Sequence, residues 1–124
     1  MNIYSHDGIF VNNNETREYY QIIETACSLN RKRLNKSDNN YVYYESHHVL
    51  PKSIFPKFNQ EKWNKVLLTA QEHLRCHQLL IKMINKSKAH YQMIRAYHNM
   101  AFRKTNDMQR YELTPNEYKE LLSL

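Results

Sequence analysis

The sequence predicts an α+β domain, mostly helical, in which two short strands and the helix after them form one ββα unit braced by flanking helices. Apolar residues recur at helical spacing in several separate stretches. The aromatic and β-branched run 41–48 is closed by Pro51, as a short strand would be. Thr69-Ala70-Gln71-Glu72 then opens a helix directly after a second short apolar run. At 124 residues a single hydrophobic core suffices, so residues 1–124 read as one domain.

Along the chain, Asp7-Gly8 between Ile3-Tyr4 and Ile9-Phe10-Val11 is a turn signal, so a hairpin or an irregular arm is expected first. With Asn14 as N-cap, the period Tyr19, Ile22, Ile23, Ala26, Leu29 predicts a helix over about 14–30 with those residues inward. Cys27 falls among these positions and reads as a small buried hydrophobe. The stretch 31–40 has no apolar period and is expected to be a loop.

Residues 41–48 predict the first strand, 52–63 a long loop holding Ile54, Phe55, Phe58 and Trp63 inward, and Lys65-Val66-Leu67-Leu68 the second strand. Thr69 then caps a helix to about Asn85, placing the ββα core at about 41–85. A third helix is expected over 88–103, with Tyr91, Ile94, Tyr97 and Ala101 inward and Lys88, Arg95, Arg103 and Lys104 outward. Thr114-Pro115-Asn116-Glu117 repeats the capping pattern, with proline at the first helical position, and opens a helix over 114–122.

Lys and Arg total 18 against 12 acidic residues, a net charge of +6 that favours an anionic partner such as nucleic acid. Only Cys27 and Cys76 are present, so neither a disulfide framework nor a Cys-x-x-Cys zinc clamp is expected. A lone helix cysteine is more often core than ligand, and Cys76 is read so. No stretch approaches the roughly 18 apolar residues of a membrane span, and no basic segment followed by an apolar run marks a signal peptide. A soluble, cytoplasmic protein with no membrane partner is therefore expected.

Four of the seven histidines fall in two pairs, His47-His48 at a strand end and His73-x-x-x-His77 on the following helix. Helix residues four apart share a face, with Cβ atoms about 6 Å apart, so two imidazoles can converge on one cation. Adjacent strand residues point to opposite sides, so His47 and His48 serve one site only if the strand ends or bulges there. One of them would then complete a three-imidazole set while the other handles a proton.

Glu45-x-His47-His48-x-x-Pro51, followed by Asn64-x-Val66-x-Leu68-Thr69-x-x-Glu72-His73-x-x-x-His77-x-Leu79-Leu80, resembles the HNH endonucleases, most closely the small phage-encoded and homing-type members. The likeness covers about residues 41–83, roughly a third of the chain. It implies a ββα-metal (His-Me) finger with flanking helices, acting as a metal-dependent nuclease on double-stranded DNA in a bacterial or phage-infected cell. By this resemblance His47, His73 and His77 hold one divalent ion and His48 is the general base. Asn64 fixes the loop that aims His48. Histidine suits the base role because its ordinary pKa lies near 6.5. Three imidazoles suit zinc or nickel, while relatives are often active with magnesium, so magnesium, manganese, nickel and zinc all stay open.

Glu45 is read evenly as a partner for a ligand histidine or as a solvated strand residue. Arg31, Lys32, Arg33 and Lys36, with Lys52, Arg75, Lys82 and the basic side of the third helix, are the expected phosphate contacts. Many relatives have a Gly-Gly turn after the His-His strand, where this chain has Phe55-Pro56-Lys57-Phe58-Asn59; Asn59 is thus a minor rival to Asn64. A different class of function is a non-catalytic, zinc-stabilised DNA-binding module, and another is a toxin-like nuclease with an acidic immunity partner. So short a chain leaves room for a homodimer or a small protein partner to supply specificity.

Overall fold

Helix α1 (Asn14–Ser28) begins where Asn13, not Asn14, accepts the amide of Thr16 at 2.9 Å and donates its own amide to Lys82 O at 3.0 Å. One side chain thereby caps α1 and ties it to the end of a later helix. Thr16, Tyr19, Tyr20, Ile23 and Ala26 form the buried stripe, and Asn30 ends the helix in the left-handed region (φ 48°), which asparagine tolerates. Leu29 and Cys27 are exposed, contrary to expectation; the buried stripe ends at Ala26. The computed structural model describes residues 9–84, 87–102, 111 and 113–124. The expected hairpin at Asp7-Gly8, the Asn85 helix end, Arg103 and Lys104 lie outside them.

Strands β1 (Glu45–His48) and β2 (Lys65–Leu68) pair antiparallel, with Glu45 opposite Leu68 and His47 opposite Val66. These four residues are buried, so the sheet turns one face inward. The predicted strand over 41–48 shrinks to its second half for a local reason. Thr69 leaves the sheet to cap α2 (Ala70–Met83), so residues 41–44 have no strand opposite them. The capping box is complete: Thr69 Oγ1 accepts the Glu72 amide at 3.2 Å and Glu72 accepts the Thr69 amide at 2.8 Å.

The long loop between the strands forms two single 3₁₀ turns, Pro56–Phe58 and Lys62–Asn64. Phe55 is buried and Ile54 and Phe58 pack against the core, whereas Trp63 remains 45% exposed and lies on the Phe58 ring. Expecting Trp63 inward overlooked that the second turn carries Asn64 into the interior in its place. Helix α3 (Ser87–Phe102) buries Ala89, Met93, Tyr97, Met100 and Ala101; this stripe leaves Tyr91 outside, at 60% exposure. Helix α4 (Pro115–Leu122) has the predicted capping box at Thr114 and buries Leu121. Among the described residues the result is an α+β arrangement of four helices and one two-stranded sheet, with α2 packed between α1 and α3. Among the described residues no helix is long and apolar enough to cross a membrane.

Candidate metal centre and its clamp

The inward face of β1 carries Glu45 and His47 toward the first two turns of α2, where His73 and His77 stand one turn apart. The three imidazoles gather with ring centroids 5.0–5.4 Å apart. One nitrogen of each lies within 4.8 Å of the others. A tetrahedral ion with bonds of about 2.1 Å asks for roughly 3.4 Å between donors, so modest ring rotations would close the set. At two of the three rings burial favours the neutral form, which offers a lone pair. Burial, reinforced by the neighbouring imidazoles, pushes His47 well below the ordinary histidine range, and burial with His73 nearby takes His77 down to about 3.

The hydrogen bonds around the rings specify which nitrogens carry protons. Glu45 is 6% exposed and its Oε1 lies 2.7 Å from His73 Nδ1. Burial raises this carboxyl, but hydrogen bonds from Tyr111, Tyr43 and His73 outweigh it and hold Glu45 below its usual range. As an ionised acceptor it takes a hydrogen bond from Nδ1–H, which leaves Nε2 as the lone-pair nitrogen of His73. Of the two sequence readings of Glu45, the structure supports the supporting partner over the solvated strand residue. His77 Nδ1 is buried with no hydrogen-bond partner among the described residues. An unsatisfied buried nitrogen costs about 1–3 kcal/mol, a cost that coordination to a cation would remove. The residues therefore fit one divalent ion.

His48 stands outside this set but lines the same cleft of about 500 Å³, together with Lys52. It is half-buried and makes no side-chain hydrogen bond to a described residue. The condition set by strand geometry is met because β1 ends at His48. The turn that follows is held by Asn64, which is fully buried. Its Oδ1 accepts the Leu50 amide at 2.7 Å, its Nδ2 donates to Leu50 O at 3.1 Å and to Phe58 O at 3.2 Å, and its carbonyl accepts the Val49 amide at 2.8 Å. Asn64 thus clamps the two residues after His48; Asn59 has no such role. Asn64→Ala should lower the unfolding free energy by about 2–4 kcal/mol, because it leaves buried Leu50 groups unpaired. A change under about 0.5 kcal/mol on urea titration would mean that the clamp is not needed.

The expected phosphate contacts divide. Arg31 forks onto Glu72 at 2.6 and 3.1 Å, donates to Leu67 O at 3.1 Å and stacks on Tyr44, so its guanidinium braces the start of α2. Arg75 forks onto Glu18 at 2.7 and 2.9 Å, and Lys82 lies 3.5 Å from Glu120. Both line a second cavity of about 550 Å³ that shares no residue with the histidine cleft. Only Lys52 among the seven lines the histidine cleft; Lys32, Arg33 and Lys36 are exposed on the loop after α1. Cys76 is buried, its thiol pushed up to about 12 by burial, and is no part of the cluster.

Two groups in this network were not legible in the sequence. Tyr111 donates to Glu45 from 66 residues away, and Tyr19, read only as a core position, reaches His47 and Val49 with its hydroxyl. The one available signal was chemical: a buried tyrosine hydroxyl needs a partner. No family model, no curated protein and no solved structure matches this chain.

Proposed function

We propose that the chain is a metal-dependent endonuclease of the HNH type that hydrolyses phosphodiester bonds of double-stranded DNA, with β1, β2 and α2 serving as a ββα-metal finger. The observation that carries this reading is the division of labour among four histidines. Three converge closely enough to share one cation, and the fourth lies in the same cleft outside the set. Three protein ligands leave a coordination position open, the mark of a catalytic rather than a structural site.

In this reading His47, His73 and His77 hold the cation, and the donor set favours zinc or nickel over magnesium. A bound divalent ion supplies charge neutralisation at the scissile phosphate and at the leaving 3′ oxygen. His48 takes a proton from the attacking water. Asn64, through the backbone at Val49 and Leu50, keeps the His48 ring from drifting. Lys52 lines the cleft as a cation for the phosphodiester, while Lys32, Arg33 and Lys36 offer the flanking backbone salt-sensitive contacts.

Supercoiled plasmid tests this directly. Nicked or linear product should form with at least one of magnesium, manganese, nickel and zinc, and EDTA should abolish it. Salt-sensitive DNA binding with no turnover in any of the four would replace the nuclease by the zinc-stabilised binding module.

A further inference from the structure

The hydroxyl of Tyr19 lies 2.8 Å from His47 Nε2 and 2.6 Å from Val49 O. A phenol has one proton, and a carbonyl oxygen has none to give. The bond to Val49 therefore uses the Tyr19 proton, and the bond to His47 requires Nε2 to donate. His47 is thereby fixed as the Nε2–H tautomer with its lone pair on Nδ1. Tyr19 is fully buried in α1, its ring edge-on to Tyr20 with centroids 5.1 Å apart, so the hydroxyl has little freedom to turn away.

We infer that Tyr19, supplied by α1 from outside the His-Asn-His segment, is a positioning residue of the metal centre: it selects the His47 tautomer whose Nδ1 is presented to the cation, and through Val49 it joins that choice to the backbone beside His48. The inference rests on reading the three histidines as a metal site. Glu45 performs the corresponding task at His73, where the proton sits on Nδ1 and the lone pair on Nε2. The cluster thus uses opposite nitrogens of two histidines, each specified by a partner on the far side of its ring. It also gives α1 a role besides covering the core.

The experiment combines ¹⁵N-histidine NMR of the full chain with zinc competition against a chromophoric chelator, on wild type and Tyr19→Phe. The wild-type His47 ring should show a protonated Nε2 and an unprotonated Nδ1 without metal. Tyr19→Phe keeps the ring in the core, yet should lose this tautomer preference and bind zinc about 10- to 100-fold more weakly. A wild-type His47 protonated on Nδ1 overturns the inference whatever the variant does, so the test survives a variant that folds poorly. Zinc affinity unchanged within about twofold in a folded Tyr19→Phe overturns it as well. Neither readout involves DNA, so an inactive protein that binds zinc with the expected tautomer removes the nuclease reading alone. Wild type that takes up no zinc removes both the metal centre and the role of Tyr19.

Discussion

His48→Ala should slow plasmid cleavage by about 10²- to 10⁴-fold, the usual contribution of a positioned base, while metal affinity stays at the wild-type level. The two readouts separate because His48 lines the cleft without belonging to the three-imidazole set. Its ring makes no hydrogen bond to a described residue, so the fold should tolerate the loss. Cleavage rates under saturating manganese, alongside a metal titration, check both halves. A variant that cuts at the wild-type rate would place the base elsewhere, and one that loses its metal would make His48 a ligand.

The second large effect concerns competition between protons and metal for the same nitrogens. His47 and His77 are held neutral in the folded chain, His77 with a pKa near 3, whereas the unfolded chain returns both to the ordinary value near 6.5. Below that pH the unfolded state binds more protons than the folded state, so unfolding becomes easier as acid is added. The stability these rings contribute is fully present above pH 6.5 and is lost as pH falls below it, for His77 down toward 3, at up to about 1.4 kcal/mol per pH unit for each ring. Metal-free protein should therefore unfold progressively in urea between pH 6.5 and 4, and bound metal should move that loss to lower pH.

His77→Ala should flatten part of the acid slope. It should also weaken metal binding by more than the roughly 10- to 100-fold that loss of a supporting partner costs. An acid profile and a metal affinity both unchanged in His77→Ala would remove His77 from the centre.

Local chemistry decided much of this protein in advance. Thr69 and Thr114 open helices because the cap and its glutamate lie three residues apart, and the 73–77 spacing puts two imidazoles on one face wherever the helix is placed. The likeness to the HNH endonucleases over 45–80 implied the grouping of His47, His73 and His77 and a loop-fixing Asn64, and the structure brings those three histidines together. Burial at particular positions was not implied, because it depends on what docks there: Leu29 and Cys27 are exposed although Ala26 beside them is buried, Tyr91 falls beside the stripe of α3, and Trp63 is outside because Asn64 turns inside.

The basic segment shows the same division. Four cations within six positions read alike, yet only the fold brings Glu72 and Tyr44 to Arg31 and leaves Lys32, Arg33 and Lys36 to solvent. The sequence by itself determined the helix starts and the histidine spacing, since both arise within a few residues. The proton positions on those histidines depend on Tyr19 and Glu45, each 28 residues from its histidine, and on Tyr111, which reaches Glu45 from 66 residues away. A hydrogen bond is made or lost over less than an ångström, and only tertiary packing fixes distances that finely.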